Sequence, residues 1–277
     1  MAIWQTTRFR IDLSTPQVMG IVNLTPDSFS DGGRHAETAA GIAHCERLVK
    51  DGAHILDLGG ESTRPGARTL EPLEEWARIE GVLKAALTLG VPVSIDTCKT
   101  EVMQRALDAG ADIVNDIRAL LAPGAEAAVT RHPQCGICLM HMQGDPATMQ
   151  QRPSYPDVVS EVTSFLQARA QALLDQGVAH DRITLDPGIG FGKSPEHNLT
   201  LMREQERVLA LGWPLLLGWS RKSTLGHLTG RDVGDRLAAS LAAALASVQK
   251  GARIVRVHDV AQTVDVLKVW QAAGFLD

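Results

Sequence analysis

The chain has 277 residues and a formal net charge of −5, with 44% hydrophobic, 21% charged and 4% aromatic residues, which is ordinary for a globular protein with an aliphatic core. The acidic balance and the lack of a basic run argue against a nucleic-acid surface. No apolar run reaches the ~18 residues of a membrane span, and MAIWQTTRFR at the start lacks the apolar core of a signal peptide. We therefore expect a cytoplasmic protein that contacts neither nucleic acid nor membrane.

Short aliphatic runs alternate with longer helical stretches along the whole chain. Such a repeat of strand and helix indicates parallel strands with right-handed crossovers. Eight strands are predicted, at Val18–Asn23, His54–Gly59, Val93–Asp96, Ile113–Asp116, Gly136–His141, Ile183–Asp186, Leu215–Gly218 and Ile254–His258. Predicted helices between them include 37–53, 74–90, 158–177 and 236–252. Several helical stretches end in glycine, as helix C-termini often do, namely at Gly52, Gly90, Gly110, Gly177, Gly212 and Gly251.

Eight strand–helix units over this length predict a (β/α)8 TIM barrel. A doubly wound open sheet is the structural alternative. No linker, low-complexity segment or shift in composition divides the chain. We therefore expect residues 1–277 to form a single domain.

Each predicted strand ends in polar residues or leads into them. One carboxylate or amide at such a point can simply cap the next helix or turn the chain. Polar groups at all eight strand ends, however, converge on one face of a barrel, and barrel active sites lie at that face. The groups are Asn23, Asp57, Asp96, Asn115, Asp116, His141, Asp186, Arg256 and His258, with WSRKS after the seventh strand.

This ring of residues carries both signs of charge. Asp96, Asn115 and Asp186 suit a planar heterocycle with adjacent N–H donors, because a carboxylate accepts two parallel N–H bonds. Cationic residues near the ring suit an anion instead, and these are Arg64, Arg221, Lys222, Arg256 and His258.

The sequence VRVHDV places two of those residues just before a helix that begins near Asp259 or Val260. The exposed N–H groups of a helix start favour phosphate, and barrels often bind phosphate after strands seven and eight. Residue types alone therefore indicate a pterin-like or purine-like ring at the centre of the face and a phosphate at the eighth strand.

The glycine-rich stretch DPGIGFGKSPEHN does not fit a nucleotide-binding loop. Pro187 stands where the P-loop pattern needs glycine, and the glycines alternate instead of following G-x-G-x-x-G. Ser194 is predicted to cap a helix that has Pro195 at its first position. We expect the glycines to let the backbone pass close to a flat ligand, with Phe191 against it.

Two long polar loops follow the first two strands, LTPDSFSDGGRH and ESTRPGARTLEP. A solvated linker is one interpretation of each. Long loops above the active face of a barrel are more often lids.

The pair Cys135 and Cys138 spells C-x-x-C. A redox motif would lie where a strand meets a helix N-terminus, but this pair opens the apolar run CGICLMH. No second C-x-x-C completes a zinc site. We expect both thiols to be structural.

The motifs as a set resemble the dihydropteroate synthase family. They are NLTPDSFSDGG, DLGGESTRPGA, SIDTCKTEV, NDI, MHMQGDPATMQ, DPGIGFGKSPEHN, GWSRKS and VRVHDV, and they occur in that family's order from about residue 17 to 260. The resemblance implies a barrel, usually dimeric, that joins 4-aminobenzoate to 6-hydroxymethyl-7,8-dihydropterin diphosphate and releases diphosphate. It also implies Mg²⁺ as cofactor and a protein of the kind that sulfonamides target.

The resemblance further implies a role for each matching residue. The implied pterin-binding residues are Asp57, Asp96, Asn115, Met140, Asp186 and Lys222. The implied diphosphate-binding residues are Asn23, which is also the Mg²⁺ ligand, with Arg64, Arg256 and His258. The implied aminobenzoate-binding residues are Phe29, Thr63, Arg64, Pro65, Phe191, Arg221, Lys222 and Ser223. The implied catalytic residues are Asp31, Arg64, Lys222, Arg256 and His258.

The chemistry of such a reaction lies mainly in breaking the carbon–oxygen bond to diphosphate, since an aniline nitrogen already has a lone pair. Cations and Mg²⁺ stabilise the departing oxygens, and the electron-rich dihydropterin shares the positive charge left behind. The resemblance therefore implies a dissociative, carbocation-like path, with Asp31 on a closed lid stabilising the cation.

Two other functions are compatible with part of this pattern. A barrel that transfers a pterin methyl group to a corrinoid would share the central Asp/Asn/Asp set but have no use for the SFSDGG lid or the anion site. A non-catalytic pterin-binding module would need the carboxylates but no metal ligand. Release of diphosphate separates both from the synthase.

Overall fold

The fold is described from a computed structural model, which describes residues 3–25, 33–63 and 66–274. Its strands are β1 (Ile3–Gln5), β2 (Arg10–Asp12), β3 (Gln17–Asn23), β4 (Ile55–Gly59), β5 (Val93–Asp96), β6 (Ile113–Asp116), β7 (Gly136–Met140), β8 (Ile183–Asp186), β9 (Leu216–Leu217) and β10 (Ile254–Val257). The last eight strands are parallel and form one sheet in the order β8-β7-β6-β5-β4-β3-β10-β9. A parallel bridge between Leu185 and Leu215 joins the two ends of this sheet. The predicted TIM barrel and its eight strands are therefore confirmed.

Helices follow the barrel strands. They are α1 (Gly33–Lys50), α2 (Pro72–Ala86), α3 (Thr100–Asp108), α4 (Ala125–Thr130), α5 (Val158–Asp175), α6 (Pro195–Arg203), α7 (Gln205–Leu209), α8 (Ser223–Thr229), α9 (Leu237–Gln249) and α10 (Val260–Ala272). All six glycines predicted to end helices adopt φ between 77° and 102°, the left-handed region in which glycine avoids the strain of a Cβ. The predicted cap is also present, because Ser194 Oγ accepts from His197 N at 3.1 Å. None of these helices is long and apolar enough to cross a membrane.

The amino ends of the barrel strands are closed by a hairpin that the sequence analysis missed. Strands β1 and β2 pair antiparallel and bring Trp4, which is 0% exposed, over the barrel axis. The Trp4 indole Nε1 donates to the Arg182 carbonyl at 2.9 Å. Trp4 packs in one buried cluster with inward-facing residues of the barrel strands, namely Met19, Ile55, Ile113, Cys138, Leu216 and Ile254. The barrel is thus plugged at its amino end, which leaves the carboxyl end for a ligand.

The C-x-x-C pair is built into this core. Cys135 and Cys138 are both buried and both free. Burial raises the pKa of each thiol, and a thiol with a raised pKa is a poor nucleophile and metal ligand. Within the described residues no three His, Cys, Asp or Glu side chains cluster as a metal site. The burial and the raised pKa values of both thiols agree with the predicted structural role.

Candidate active site

The strand register brings the predicted site residues to one level at the carboxyl end of the barrel. Across neighbouring strands Asn23 pairs with Gly59, Gly59 with Asp96, and Asp96 with Asn115. On the other side of the barrel Met140 of β7 pairs with Asp186 of β8. Side chains alternate along a strand, so a fixed register decides which polar groups share the face.

Arg256 on β10 joins two of the carboxylates. Its Nε lies 2.6 Å from Asp57 Oδ2 and its Nη2 lies 2.7 Å from Asp96 Oδ2. Asp57 is fully buried, and it also accepts weakly from Asn115 Nδ2 at 3.3 and 3.4 Å. Burial alone lowers the pKa of Arg256, but the carboxylates of Asp57 and Asp96 reverse this and raise it. The guanidinium therefore neutralises the carboxylates that the resemblance assigns to pterin.

The remaining carboxylate, Asp186, is held by backbone. Its Oδ1 accepts from Gly188 N at 2.7 Å, and 6% of the residue is exposed. Burial raises the pKa of Asp186, while the Gly188 bond and the charges of Lys222 and Lys193 lower it. Burial likewise raises the pKa of Asp96 to about 7, opposed by Arg256. Both acids are thus placed in a dry site where a hydrogen bond to a ligand is worth more than in water.

A cavity of about 460 Å³, its open mouth included, lies between these groups. Lys222 reaches its wall with its ammonium 4.1 Å from the centroid of the Phe191 ring, which is a cation–π contact. Burial lowers the pKa of Lys222 to about 8, opposed by Asp186. The lining residues are Ile21, Asp96, Asn115, Ile117, Met140, Asp186, Ile189, Phe191, Gly218, Ser220, Lys222, Arg256 and His258. Seven of these residues are polar or charged and six are apolar or glycine, a combination that suits a polar ring with apolar faces.

His258 follows β10 and faces the same cavity. Its Nδ1 lies 3.0 Å from Ser220 Oγ, which also accepts from His258 N at 3.2 Å. Burial lowers the pKa of His258 to about 3, and Arg256 and Arg221 push it the same way. The sequence analysis groups His258 with cations, whereas a pKa lowered to about 3 favours the neutral imidazole near pH 7. It can still donate a hydrogen bond from its other nitrogen.

Arg221 is engaged outside the cavity. Its Nη2 and Nε lie 2.6 and 3.2 Å from the two carboxylate oxygens of Asp259. Asp259 immediately precedes α10, whose first residue is Val260, as predicted. Its side chain makes no helix-capping bond. Arg221 therefore fixes the start of α10, beside His258.

The structure brings together most but not all of the predicted site residues. Eight of them line the cavity, and Asp57 lies behind Arg256. Four others are described but are not part of its wall, namely Asn23, Thr63, Arg221 and Ser223. Four lie outside the described residues, namely Phe29, Asp31, Arg64 and Pro65.

Two kinds of lining residue were missed. Ile21, Ile117 and Ile189 are apolar, and aliphatic residues at strand ends look like ordinary core in a sequence. Ser220 stands in the quoted stretch GWSRKS, so its position was visible but its bond to the imidazole was not.

A TIM barrel with buried carboxylates, an amide and cations around one cavity is the architecture of an enzyme that binds a small heterocycle and an anion. Residues 19–258 match the family of pterin binding enzymes. The dihydropteroate synthase of Neisseria meningitidis serogroup C is 54% identical over 276 residues, or 98% of each chain. This chain therefore belongs to the dihydropteroate synthase family.

Solved structures agree with this assignment. Xanthomonas albilineans dihydropteroate synthase with 4-aminobenzoic acid has a TM-score of 0.90 and 48% identity, with 96% of this chain and 95% of that chain covered. Burkholderia cenocepacia dihydropteroate synthase complexed with 7,8-dihydropteroate has a TM-score of 0.89 and 46% identity, with 99% and 96% covered.

Proposed function

We propose that this chain condenses 6-hydroxymethyl-7,8-dihydropterin diphosphate with 4-aminobenzoate, forming 7,8-dihydropteroate and releasing diphosphate. The observation that carries the proposal is the cavity itself, in which Asp96, Asn115 and Asp186 face Lys222 and Arg256. The solved relatives hold 4-aminobenzoic acid in one case and 7,8-dihydropteroate in the other. These are a substrate and the product of the proposed reaction.

The pterin ring is expected to bind through the acceptors that the protein leaves open. Among the described residues, the Asp96 side chain accepts a hydrogen bond only at Oδ2, from Arg256. The Asp186 side chain accepts one only at Oδ1, from Gly188 N. The second oxygen of each can accept N–H bonds from the ring, and Asn115 offers an amide with a donor and an acceptor. The apolar wall, including Met140, would cover the ring faces.

Arg256 must serve two partners in this scheme. Its guanidinium bonds to Asp57 and Asp96. When ring N–H groups bond to the other oxygen of Asp96, they weaken its attraction for Arg256, so that part of the guanidinium can turn toward the diphosphate, beside His258 and the start of α10. Pterin binding and activation of the leaving group are thereby coupled through one side chain.

Mg²⁺ fits the residues at the end of β3. Asn23 is half-buried, and its side chain makes no hydrogen bond within the described part of the chain, so its amide oxygen is open to a hard cation. Magnesium usually takes one or two protein ligands together with substrate phosphates and water. Bound there, it would neutralise charge on the departing diphosphate. Asn23 would hold it, with Arg64, Arg256 and His258 as the other groups around the anion.

Substitution then follows a dissociative path. Diphosphate leaves first, and the dihydropterin ring delocalises the positive charge left on the exocyclic carbon. The carboxylate of Asp31, which the family resemblance assigns to the segment after β3, stabilises this cation. The aniline nitrogen attacks the exocyclic carbon and loses a proton. Phe191 and Lys222 form the described wall of the aminobenzoate side, and the rest of that pocket is proposed to be Phe29, Thr63, Arg64, Pro65, Arg221 and Ser223.

A homodimer is part of the proposal. Leu228 on α8, Val233 on the connection to α9 and Leu237 on α9 are 54%, 54% and 38% exposed. We propose that the surface carrying these three exposed apolar residues is the one that the second copy covers. Substituting Leu228 by Glu should shift the molar mass measured by light scattering from dimer to monomer. The cytoplasmic location stays a prediction.

The reaction is tested by mixing the two substrates with Mg²⁺ and assaying diphosphate. Release that depends on 4-aminobenzoate supports the synthase. Pterin binding without release would identify a non-catalytic pterin-binding module instead. Omitting Mg²⁺, or adding a chelator, should abolish release while leaving the binding of a diphosphate-free pterin intact.

A further inference from the structure

Lys193 is a buried lysine that the proposed mechanism does not use. It follows the glycine-rich segment after β8, and only 2% of it is exposed, although lysine is almost never buried unless paired. Its Nζ lies 2.9 Å from His141 Nδ1, 3.0 Å from the Gly188 carbonyl and 3.1 Å from the Phe191 carbonyl. A fourth acceptor, the His141 carbonyl, lies at 3.3 Å. The three donors of an ammonium are therefore satisfied without a carboxylate among the described residues.

These acceptors belong to two segments in very close contact. Gly188 and Gly192 have φ of 71° and 61°. A Cβ at Gly188 would collide with the His141 carbonyl oxygen, and one at Gly192 would collide with Gln143. Lys193 bonds to both sides of this contact, because His141 directly follows β7 while Gly188 and Phe191 belong to the segment after β8.

The clamped segment reaches both substrate pockets. At its start, Gly188 N donates to Asp186 Oδ1 at 2.7 Å. At its other end, the Phe191 ring lies against the Lys222 ammonium. A shift of this segment would therefore move two groups together. One is the Gly188 N–H that holds the pterin-binding carboxylate of Asp186, and the other is the Phe191 ring of the proposed aminobenzoate pocket.

We propose that Lys193 is a positioning residue for both substrates, because its ammonium fixes the Gly188–Phe191 segment to the end of β7. The inference rests on the proposed function. Electrostatics act in the same direction: burial raises the pKa of Asp186, and the charges of Lys193 and Lys222 oppose that rise. Burial lowers the pKa of Lys193 itself to about 7, and Asp186 opposes this shift.

The test compares two substitutions with a control on the same segment. Lys193→Met keeps the length of the side chain and removes every donor, whereas Lys193→Gln keeps two donors without the charge. Tyr155→Phe is the control, because Tyr155 Oη donates to the Gly192 carbonyl at 2.7 Å but touches neither Gly188 nor Phe191 through that bond. Calorimetry with 6-hydroxymethylpterin gives the Kd, and its stoichiometry reports the folded fraction. Steady-state assays give KM for 4-aminobenzoate and kcat.

We expect Lys193→Met to raise the pterin Kd by about tenfold or more. A shifted Gly188–Phe191 segment would misalign Asp186, and the pterin would lose a hydrogen bond to that buried carboxylate. The KM of Lys193→Met for 4-aminobenzoate should rise as well. The pterin Kd and the KM of Lys193→Gln should lie between those of Lys193→Met and the parent, and both values for Tyr155→Phe should stay within about twofold of the parent. A pterin Kd within twofold of the parent in a folded Lys193→Met, with only Tm lowered, would overturn the inference. If that variant does not fold, the same Kd criterion applied to Lys193→Gln decides. A parent that binds no pterin contradicts the proposed function instead, so the two failures are distinguishable.

Discussion

The two ends of the barrel both bury charged groups, but they satisfy them differently. At the amino end, the Asp112 carboxylate accepts from Arg8 Nη2 at 2.6 Å and from Val93 N at 2.8 Å. Arg182, which is 3% exposed, donates to the carbonyls of Cys135, Val129 and His132 at 2.8 to 3.0 Å. Each charge there has its partners within the chain.

At the carboxyl end the bonding is incomplete. One oxygen of Asp96 and one of Asp186 accept no hydrogen bond in the part of the chain that the structure describes. Lys222 has an aromatic ring beneath its ammonium and no described hydrogen-bond acceptor. Open acceptors and donors around a cavity are what a polar ligand needs, because a buried polar group costs free energy until it is paired. A buried charge alone therefore does not mark a site, whereas a buried charge with bonds to spare does.

The largest expected effect follows directly from that contrast. Asp186→Asn should abolish detectable pterin binding without unfolding the protein, because an amide presents donors where the ring needs acceptors, a mismatch of ~1–3 kcal/mol or more. Calorimetry with a diphosphate-free pterin measures it. Asp112→Asn at the amino end is the matched control, and it should lower Tm while leaving the pterin Kd unchanged. An unchanged Kd in Asp186→Asn would remove the distinction between the two ends.

The second effect separates two roles within the carboxyl end. Arg256→Ala should lower turnover by roughly 10²–10³, the typical loss for one group that stabilises developing charge. The affinity of this variant for a diphosphate-free pterin should change much less. Asp57 and Asp96 lose their cationic partner, but Asp96 then has both oxygens available to the pterin ring. Arg256→Lys, which keeps a charge but not the planar fork, should fall between. Equal losses in turnover and in pterin affinity would contradict the assignment to the leaving group.

The sequence was informative about the carboxyl end and much less so about the amino end. Strand ends such as Asp96, Asn115 and Asp186 could be predicted because parallel topology alone brings them to one face. The β1–β2 hairpin was missed because each strand has three residues, too few for a period to be visible, and the polar residues Gln5, Thr6 and Thr7 follow directly after Ile3 and Trp4. Lys193 was missed because a lysine in a glycine-rich loop is normally solvated, and its acceptors are backbone carbonyls that no sequence pattern displays.

The third effect concerns the difference between substrate-binding residues on strands and those on predicted loops. Most of the proposed pterin-binding residues lie on barrel strands. The proposed aminobenzoate-binding residues Phe29, Thr63, Arg64 and Pro65 stand instead in the stretches that the sequence predicts to be long loops. Fixing a loop residue costs ~1–2 kcal/mol, and even the best tiny ligands gain at most ~1.5 kcal/mol per heavy atom. We therefore expect the Kd for 4-aminobenzoate to be about tenfold lower, or lower still, in enzyme that holds a pterin and Mg²⁺-diphosphate than in free enzyme. The reason is that the diphosphate anion contributes charge-assisted hydrogen bonds. Similar affinity in free and loaded enzyme would mean that the pocket is preformed.

The smallest effect tests the neutral imidazole at the carboxyl end through its pH dependence. Histidine in an unfolded chain has a pKa near 6.5, whereas burial, Arg256 and Arg221 lower the pKa of His258 to about 3, with Asp259 opposing and Lys222 adding to the shift. As pH falls through that window, the unfolded chain takes up a proton that the folded chain does not. His258 therefore makes the free energy of unfolding fall on acidification, by up to about 1 kcal/mol between about pH 6.5 and 5.5.

Other groups titrate in the same window, so the measurement has to be a difference between the parent and His258→Gln. His141, whose pKa burial lowers to about 3, acts with the same sign as His258. Asp96 and Asp116, whose pKa values burial raises to about 7 and about 6, act with the opposite sign, because the folded protein binds their protons first. These contributions are shared by both proteins and largely cancel in the difference. Urea denaturation at a series of pH values should show the variant losing less stability than the parent below about pH 6.5. Parallel curves would mean that His258 has the same pKa in the folded and unfolded chain, which would contradict the neutral imidazole.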